Sequence, residues 1–151
     1  MKKKIEILGI DLDLDIKLHK IEERYRKYAV IITYENNELV LVRHRERETW
    51  EIPGGHHEIG ETILETAKRE LFEETGAIDF ETKHIADYSV KKGNEINYGG
   101  LFEAHIINRE KKLGYEISEV KKFTKLPPVK KVTHGMIQIE LVNFLSKKLS
   151  K

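Results

Sequence analysis

The sequence predicts an α/β fold in which a mixed β-sheet carries helices on its faces. Apolar runs in residues 28–42 and 82–107 indicate two β-hairpins, each divided by a short polar turn. A helical pattern crosses between the hairpins at residues 64–75, and a second helical pattern occupies residues 134–149. Strands and helices in this order bury their apolar sides against each other as layers.

The first predicted strands come from a segment in which apolar and charged residues alternate. This alternation runs from Ile5 to Asp15 and predicts one or two edge strands with an acidic outer face. The three aspartates of the segment lack the glycine and the closing glutamate of a calcium-binding loop, so we interpret them as a solvated strand face. The length of 151 residues suits one domain and is short for two.

The first predicted hairpin joins a β-branched strand at residues 28–33 to an apolar strand at residues 39–42. An Asn-Asn pair between them is typical of a tight turn. A charged loop follows, and the next extended segment stops at Pro53. Because glycine adopts backbone conformations that other residues avoid, Gly54 and Gly55 allow a sharp turn after the proline.

The crossing helix is predicted from apolar residues at helical spacing. Leu64, Ala67 and Leu71 recur every three or four residues, so we expect them to form the buried stripe of this helix. Gly76 is predicted to end the helix as its C′ residue, which commonly adopts a left-handed conformation.

Three glutamates share one face of the crossing helix. Glu70, Glu73 and Glu74 fall within about 100° of each other on a helical wheel. Like charges at these spacings destabilise an isolated helix by roughly a few tenths of a kcal/mol per pair. A hard divalent cation with oxygen ligands would offset that repulsion, and this predicts a metal site.

Positive charge is concentrated near the C-terminus. From Lys121 onward the chain has eight lysines against one acidic residue, Glu140, although the whole chain carries a net charge of only +1. Two interpretations stay open, a solvated lysine-rich surface or a positive wall that attracts polyphosphate.

Composition also bounds the class of protein. Cysteine is absent, which excludes disulfides, thiolate metal sites and thiol nucleophiles, and which fits a reducing compartment. No apolar run is long enough for a signal peptide or a membrane span. We therefore expect a cytoplasmic protein without a membrane partner.

The segment 55–77 follows a fixed pattern of residues. The pattern consists of Gly55, five residues, Glu61, seven residues, and then Arg69-Glu70-Leu71-x-Glu73-Glu74-x-Gly76 before a small apolar residue. It resembles the Nudix box, the signature of the Nudix hydrolases, and only Ala77 stands where that family prefers a larger aliphatic residue. The resemblance implies a single domain over residues 1–151, built as an α/β/α sandwich with a mixed sheet and with the box as a loop-helix-loop.

The resemblance also implies a set of metal ligands. Glu70, Glu73 and Glu74 would hold Mg²⁺ or Mn²⁺ together with the backbone carbonyl of Gly55 or Gly54. Divalent cations suit pyrophosphate hydrolysis because they neutralise phosphate oxygens and make water more nucleophilic.

Two further box residues would support these ligands. Arg69 lies off the metal face, where it can hold a carboxylate in orientation. In the family, Glu61 helps to position that arginine or the metals. An acid at the start of a helix, favoured by the helix dipole, is the structural alternative for Glu61.

The general base stays open at this point. Some Nudix hydrolases use a box glutamate, which here means Glu73 or Glu74, and others recruit a glutamate from a later loop. We favour Glu116 for this role, with Glu119 and Glu95 as the other candidates outside the box.

Substrate recognition is expected outside the box. By resemblance to MutT-type members of the family, Arg43 would contact a phosphate, Ile52 would lie beside the base, and His134 would read it. A plain charged strand end is an equal alternative for Arg43. Trp50 can stack on a base or pack in the core, and we favour the core.

The resemblance implies a pyrophosphohydrolase that splits a nucleoside diphosphate linked to another group. Within that class we favour a MutT-like enzyme that converts a nucleoside triphosphate, possible examples including oxidised dGTP, into the monophosphate and pyrophosphate. The alternatives are removal of pyrophosphate from the 5′ end of RNA, hydrolysis of ADP-ribose or dinucleoside polyphosphates, and a non-catalytic module that senses nucleotides or RNA. Monomer and homodimer both stay open.

Overall fold

The computed structural model describes residues 1–18, 25–111, 114 and 116–149. These residues form one mixed sheet with two helices. The strands are β1 (Lys2–Ile7), β2 (Ile10–Lys17), β3 (Arg26–Glu35), β4 (Glu38–His44), β5 (Gly54–His56), β6 (Ala77–Lys92), β7 (Glu95–Arg109) and β8 (Ile117–Phe123), and the helices are α1 (Ile63–Thr75) and α2 (Met136–Leu149). In the described part of the chain, no helix is long and apolar enough to span a membrane.

The sheet runs in the order β1-β2-β6-β7-β3-β4-β8 across the described residues, with β5 also paired to β3. The neighbours β3 and β7 are parallel, and the other paired strands are antiparallel. This mixture confirms the predicted mixed sheet.

Each face of the sheet is covered by one helix. Because successive side chains of a strand point to opposite faces, neighbouring residues of β3 belong to different cores. Ile31 packs with Leu71 of α1, whereas Ile32 packs with Leu141 and Leu145 of α2. The α/β/α sandwich is therefore confirmed.

The two predicted hairpins are confirmed, and the second is longer than expected. In the first, Asn36 and Asn37 adopt φ values of 51° and 66°, which a tight two-residue turn requires. The second hairpin extends to Ala77 on β6 and to Arg109 on β7. It reaches this far because β6 starts directly after Gly76, and the polar ends of both strands continue to pair beyond their apolar centres.

The buried stripe of α1 was predicted wrongly at one position. Leu64 is 39% exposed, whereas Ile63 is 3% exposed and packs with Ala67 and Leu71. Ile63, Ala67 and Leu71 recur at steps of four and pack against the sheet, whereas Leu64 stands one residue later and lies off this stripe. Gly76 ends the helix as predicted, with a φ of 78°.

A wedge-shaped gap between β3 and β4, called the wedge below, holds the segment that precedes α1. These strands pair only from Thr33 to Glu35, and beyond that point they separate. The chain returns into the gap, where Glu51 bridges to Val42 of β4 and Gly54 pairs with Val30 of β3. The glycine-rich segment is thereby held beside the first residues of β3, under α1.

The N-terminus of α1 gives a test of local stability. Thr62 accepts a hydrogen bond from the Glu65 amide at 3.1 Å, and the Glu65 carboxylate accepts one from the Thr62 amide at 2.9 Å, which together form a capping box. We expect Thr62→Ala to lower the free energy of unfolding by about 1 kcal/mol, because it removes the cap. Thr62→Ser keeps a hydroxyl and should unfold like the wild type in urea. Equal destabilisation by both changes would contradict the role of the cap.

Candidate active site

The last acid of the helical face, Glu74, is almost completely buried against β5. It is 5% exposed, and its Oε1 accepts a hydrogen bond from the Gly54 amide at 2.9 Å. Burial raises the pKa of Glu74, since a charged carboxylate loses its hydration there. The fold therefore holds a carboxylate at a place where its charge is costly.

Glu70 lies one turn earlier and faces Gly55. A Cβ atom on Gly55 would overlap the Glu70 carboxylate, so this close approach requires glycine. Burial, and then the neighbouring charge of Glu74, raise the pKa of Glu70 to about 7. Two carboxylates therefore lie close together beside β5, in surroundings that make the negative charge of Glu70 unfavourable.

Arg69 organises the acids on the outer side of this pair. Its Nε donates to Glu61 Oε2 at 2.6 Å and its Nη2 donates to Glu61 Oε1 at 3.1 Å, a two-pronged pairing. Nη1 donates to Glu70 at 2.8 Å and to Glu73 at 3.3 Å, and Nη2 also donates to the His56 carbonyl at 3.0 Å. The hydrogen bonds from Arg69 hold the pKa of Glu61 down to about 2.

His44 lies on the inner side of the acids, where no role was predicted for it. Its Nε2 is 3.1 Å from Glu74 Oε2 and 3.5 Å from Glu51 Oε2. The hydrogen bond to Glu74 is the largest cause that raises the pKa of His44. Glu51 Oε1 in turn accepts a hydrogen bond from Arg47 at 2.9 Å.

These groups lie along a cleft of about 530 Å³ with two chemically different ends. The end beside α1 is acidic, because Glu70 and Glu74 of that helix line it together with Glu51 and Glu116. The end beside α2 is lined by aromatic, apolar and amide side chains, several of which belong to the core next to that helix: Tyr28, Ile52, Tyr88, Tyr98, Ile137, Gln138 and Leu141. A ligand in this cleft would meet carboxylates at one end and ring-sized apolar surface at the other.

Gln138 presents a fixed amide at the apolar end. It is 6% exposed, and its Oε1 accepts a hydrogen bond from the Ile52 amide at 2.8 Å. Because the oxygen is used in this way, the nitrogen of the side chain is the group left to meet a ligand. No sequence motif singled out this residue.

The donor set at the acidic end fits a hard divalent cation. Carboxylate oxygens are the ligands that such ions prefer. Burial raises the pKa of Glu70 and of Glu74, and a bound cation would offset this cost of their negative charge. Among the described residues, however, the acids do not stand as a finished metal cage. Arg69 holds Glu70 and Glu73 through Nη1, so binding of a cation would have to re-orient these two side chains, whereas Gly54 and His44 already orient Glu74.

Several residues predicted for the site lie together in the cleft. Ile52, Gly55, Glu70, Glu74, Glu116 and His134 line it. Glu73 projects outward, with a side chain that is 53% exposed, and touches the site through Arg69.

The substrate-binding candidates Arg43 and Trp50 lie outside the cleft lining, and so do the candidate bases Glu95 and Glu119. The Arg43 guanidinium binds Glu119 at 3.2 Å and lies 5.8 Å from the Trp50 ring centre. Arg43 and His44 are adjacent in β4 and therefore point to opposite faces, which sends the arginine to the Trp50 side. Trp50 packs edge-on against Phe123 and against the core next to α2, as favoured from the sequence.

Sequence reasoning missed His44, Arg47, Glu51 and Gln138, which also line the cleft. His44, Arg47 and Glu51 lie around a charged loop that carries no motif, and the approach of Glu51 to His44 depends on the bridge between Glu51 and Val42. The sequence feature that could have indicated this contact was a histidine and a glutamate, His44 and Glu51, at the two ends of that loop. Their juxtaposition follows from the wedge between β3 and β4.

Comparisons with known proteins agree with this fold and site. The profile of the NUDIX domain matches residues 24–132. A crystal structure of a variant of the Bacillus subtilis pyrophosphohydrolase BsRppH superimposes with a TM-score of 0.82 at 23% identity, covering 98% of this chain and 96% of that one. A NUDIX hydrolase from Nitrosomonas europaea gives a TM-score of 0.64 at 17% identity, covering 82% of this chain and 90% of that one.

A curated sequence relative is similar over a short stretch. It is a Bacillus subtilis (strain 168) protein provisionally named an 8-oxo-dGTP diphosphatase, 40% identical over 47 residues. The stretch covers 31% of this chain and 32% of the relative, so the match spans about a third of that protein.

The NUDIX profile covers more than half of the chain, and the glutamate-rich helix that faces a glycine strand, with Arg69 between the acids, lies within the matched residues. The chain belongs to the NUDIX family.

Proposed function

We propose that this chain hydrolyses a nucleoside diphosphate linked to another group with the help of Mg²⁺ or Mn²⁺, and that its substrate is a nucleoside triphosphate. The observation that carries the proposal is the division of the cleft into an acidic end and an aromatic, apolar end. A nucleotide has the same division, with a polyphosphate that binds through cations and a base that packs on rings. The products would be the monophosphate and pyrophosphate.

At the acidic end, we assign Glu70, Glu73, Glu74 and the Gly55 carbonyl to the cation. When bound, the cation would neutralise phosphate oxygens and activate water. Arg69 keeps the acids in place: its double hydrogen bond to Glu61 leaves Nη1 free to orient Glu70 and Glu73.

Glu116 is the candidate general base that the geometry supports over Glu119. Glu116 lines the cleft, whereas Glu119 is engaged by Arg43. The Glu116 carbonyl accepts a hydrogen bond from the Arg45 amide at 2.8 Å, which fixes the backbone of this loop beside β4. Its carboxylate would accept the proton of the attacking water.

At the other end, we assign the nucleotide base to the pocket between Ile52 and His134. For the phosphates, which would lie toward the acidic end, our candidate is Arg47 rather than Arg43, because Arg47 lines the cleft and is half exposed. The side-chain nitrogen of Gln138 would meet an acceptor on the base.

A nucleotide panel with identified products tests the proposal. Purified protein should release pyrophosphate and the monophosphate from at least one nucleoside triphosphate when Mg²⁺ is present, and EDTA should stop the release. The same panel should include oxidised dGTP, ADP-ribose and a dinucleoside polyphosphate. Absence of turnover on every substrate, with Mg²⁺ and with Mn²⁺, would refute the proposed function.

RNA with a 5′-triphosphate is the second candidate substrate, favoured by the position of the basic segment. Lys130 and Lys131 belong to a turn that leads directly to His134 at the edge of the cleft, and both lysines are exposed. Lysines placed there could follow an RNA backbone that leaves the cleft.

Salt dependence separates the two substrates. Binding that requires several phosphate contacts weakens steeply with salt, because each contact releases condensed counterions. Affinity for a short 5′-triphosphate RNA should therefore fall strongly with KCl if RNA is the substrate. A flat response together with tight binding of a mononucleotide would contradict the RNA proposal and support the nucleoside triphosphate.

A further inference from the structure

The last residue of β4, His44, lies between two buried carboxylates. Its ring reaches Glu74 Oε2 at 3.1 Å and Glu51 Oε2 at 3.5 Å. The Glu74 and Glu51 side chains are only 6% and 11% exposed, and the His44 ring is 23% exposed. A histidine in this position has a fixed rather than a free orientation, because carboxylates contact its Nε2 from two sides.

Glu51 is itself held in place by the wedge. Its amide donates to the Val42 carbonyl and its carbonyl accepts from the Val42 amide, both at 2.9 Å. Its Oε1 accepts from Arg47 at 2.9 Å, which turns Oε2 toward His44. Glu51 therefore offers His44 a rigid partner on the side away from α1.

Both oxygens of Glu74 are engaged as a result. Oε1 accepts from the Gly54 amide at 2.9 Å, and Oε2 faces His44. Glu73 differs, since its exposed carboxylate has one hydrogen bond from Arg69 at 3.3 Å among the described residues. Glu74 is thus the carboxylate of this face whose orientation the fold determines most completely.

We propose that His44, supported by Glu51, is a positioning residue that fixes the orientation of Glu74 for the cation. The inference rests on the proposed function, because it takes Glu74 to be a metal ligand. His44 would donate from Nε2 and hold the carboxylate plane, so that the ligand does not have to be ordered when the cation arrives. Hydrogen-bonded partners of this kind commonly change metal affinity by 10- to 100-fold when they are removed.

Direct titration with Mn²⁺ tests the inference without any substrate. We expect His44→Leu to bind Mn²⁺ about tenfold more weakly than the wild type in calorimetric titration. His44→Gln keeps an N–H donor at a similar distance from the backbone and should stay within about threefold of the wild type. His105→Leu is the matched control, because His105 pairs with Glu103 on β7, outside the cleft lining, and its replacement should leave Mn²⁺ affinity unchanged.

The alternative is that His44 acts only as a counter-ion that the metal displaces. In that case His44→Leu would leave Mn²⁺ affinity unchanged or raise it, since the acids would have one positive neighbour fewer. Either result overturns the inference. If the wild type binds Mn²⁺ and the variants bind it with the same affinity, the positioning role alone is refuted. If the wild type binds no Mn²⁺, the proposed function is refuted as well.

Glu51→Gln supplies a second line of evidence if His44→Leu does not fold. It keeps the shape of the side chain and should weaken Mn²⁺ binding by about threefold through His44. Combined with His44→Ala, which removes the ring, it should produce less than the sum of the two single effects, because residues in one hydrogen-bonded chain are coupled. Full additivity would show that Glu51 does not act through His44 and would overturn this part of the proposal. Melting curves without metal show which variants are folded.

Discussion

Glutamine in place of Glu74 should nearly abolish hydrolysis while the protein stays folded. We expect kcat for the best substrate of the nucleotide panel to fall at least about a hundredfold, which corresponds to about 2.7 kcal/mol on the barrier. The reason is that glutamine keeps the shape and the hydrogen bond from Gly54 but removes the negative charge that would hold the cation.

The stability of the Glu74→Gln variant should move in the opposite direction to its activity. Burial raises the pKa of Glu74, so the folded state disfavours the charged form of this side chain. Removing that charge should leave the melting temperature without metal equal to that of the wild type or higher. Loss of activity with a large drop in melting temperature would instead indicate that Glu74 serves the fold.

Glu65→Gln is the matched control on the same helix. Glu65 belongs to the capping box, and glutamine is an equivalent partner at that position. This variant should keep both the rate and the melting temperature.

Glu73→Gln should lower the rate as Glu74→Gln does, if the exposed acid binds the cation as we propose. Full activity of both Glu73→Gln and Glu74→Gln would contradict the assignment of the metal ligands.

The layers of the fold could be predicted because they depend on local patterns. Alternation in β1 and β2, the Asn-Asn turn after β3 and the helical spacing before Gly76 each indicate one element within a few residues. The buried side of α1 could not be predicted in this way, since Ile63 and Leu64 are both apolar and the packing of the helix against the sheet decides which of them is buried. Local patterns thus gave the elements more reliably than they gave the buried side of each element.

The cleft could be predicted only where a motif covers it. The box placed Glu61, Arg69 and Glu70 in one constellation, and the structure brings them into contact. His44 and Gln138 have no motif, because their positions depend on how far β3 and β4 separate and on where α2 crosses the sheet. The sequence also could not show which residue at the end of β4 faces the cleft. Arg43 was predicted, but its neighbour His44 lines the cleft and Arg43 lies over Trp50.

Replacement by alanine should affect the stability of the protein very differently at the two adjacent glycines of β5. In Gly55→Ala the new Cβ meets the Glu70 carboxylate, with Oε2 at 2.7 Å, whereas in Gly54→Ala it meets the backbone carbonyl of Ala29. A flexible carboxylate can rotate away at small cost, but a backbone atom in a paired strand cannot. We therefore expect Gly55→Ala to change the free energy of unfolding by less than about 1 kcal/mol and Gly54→Ala to lower it by about 1–3 kcal/mol.

Activity should rank these two variants in the reverse order, because Gly55→Ala is expected to be the more stable and the less active of the two. Rotation of Glu70 in Gly55→Ala takes a carboxylate away from the cation and from Arg69, and we expect kcat to fall about 10- to 100-fold with little change in melting temperature. Gly54→Ala should lose activity only in proportion to its unfolded fraction, or through displacement of the Gly54 amide from Glu74. Urea denaturation and steady-state kinetics on the same preparations measure both quantities. If Gly55→Ala retained the wild-type rate, the contact between Gly55 and Glu70 would be a packing feature, and Glu70 could not be held at this place for the cation.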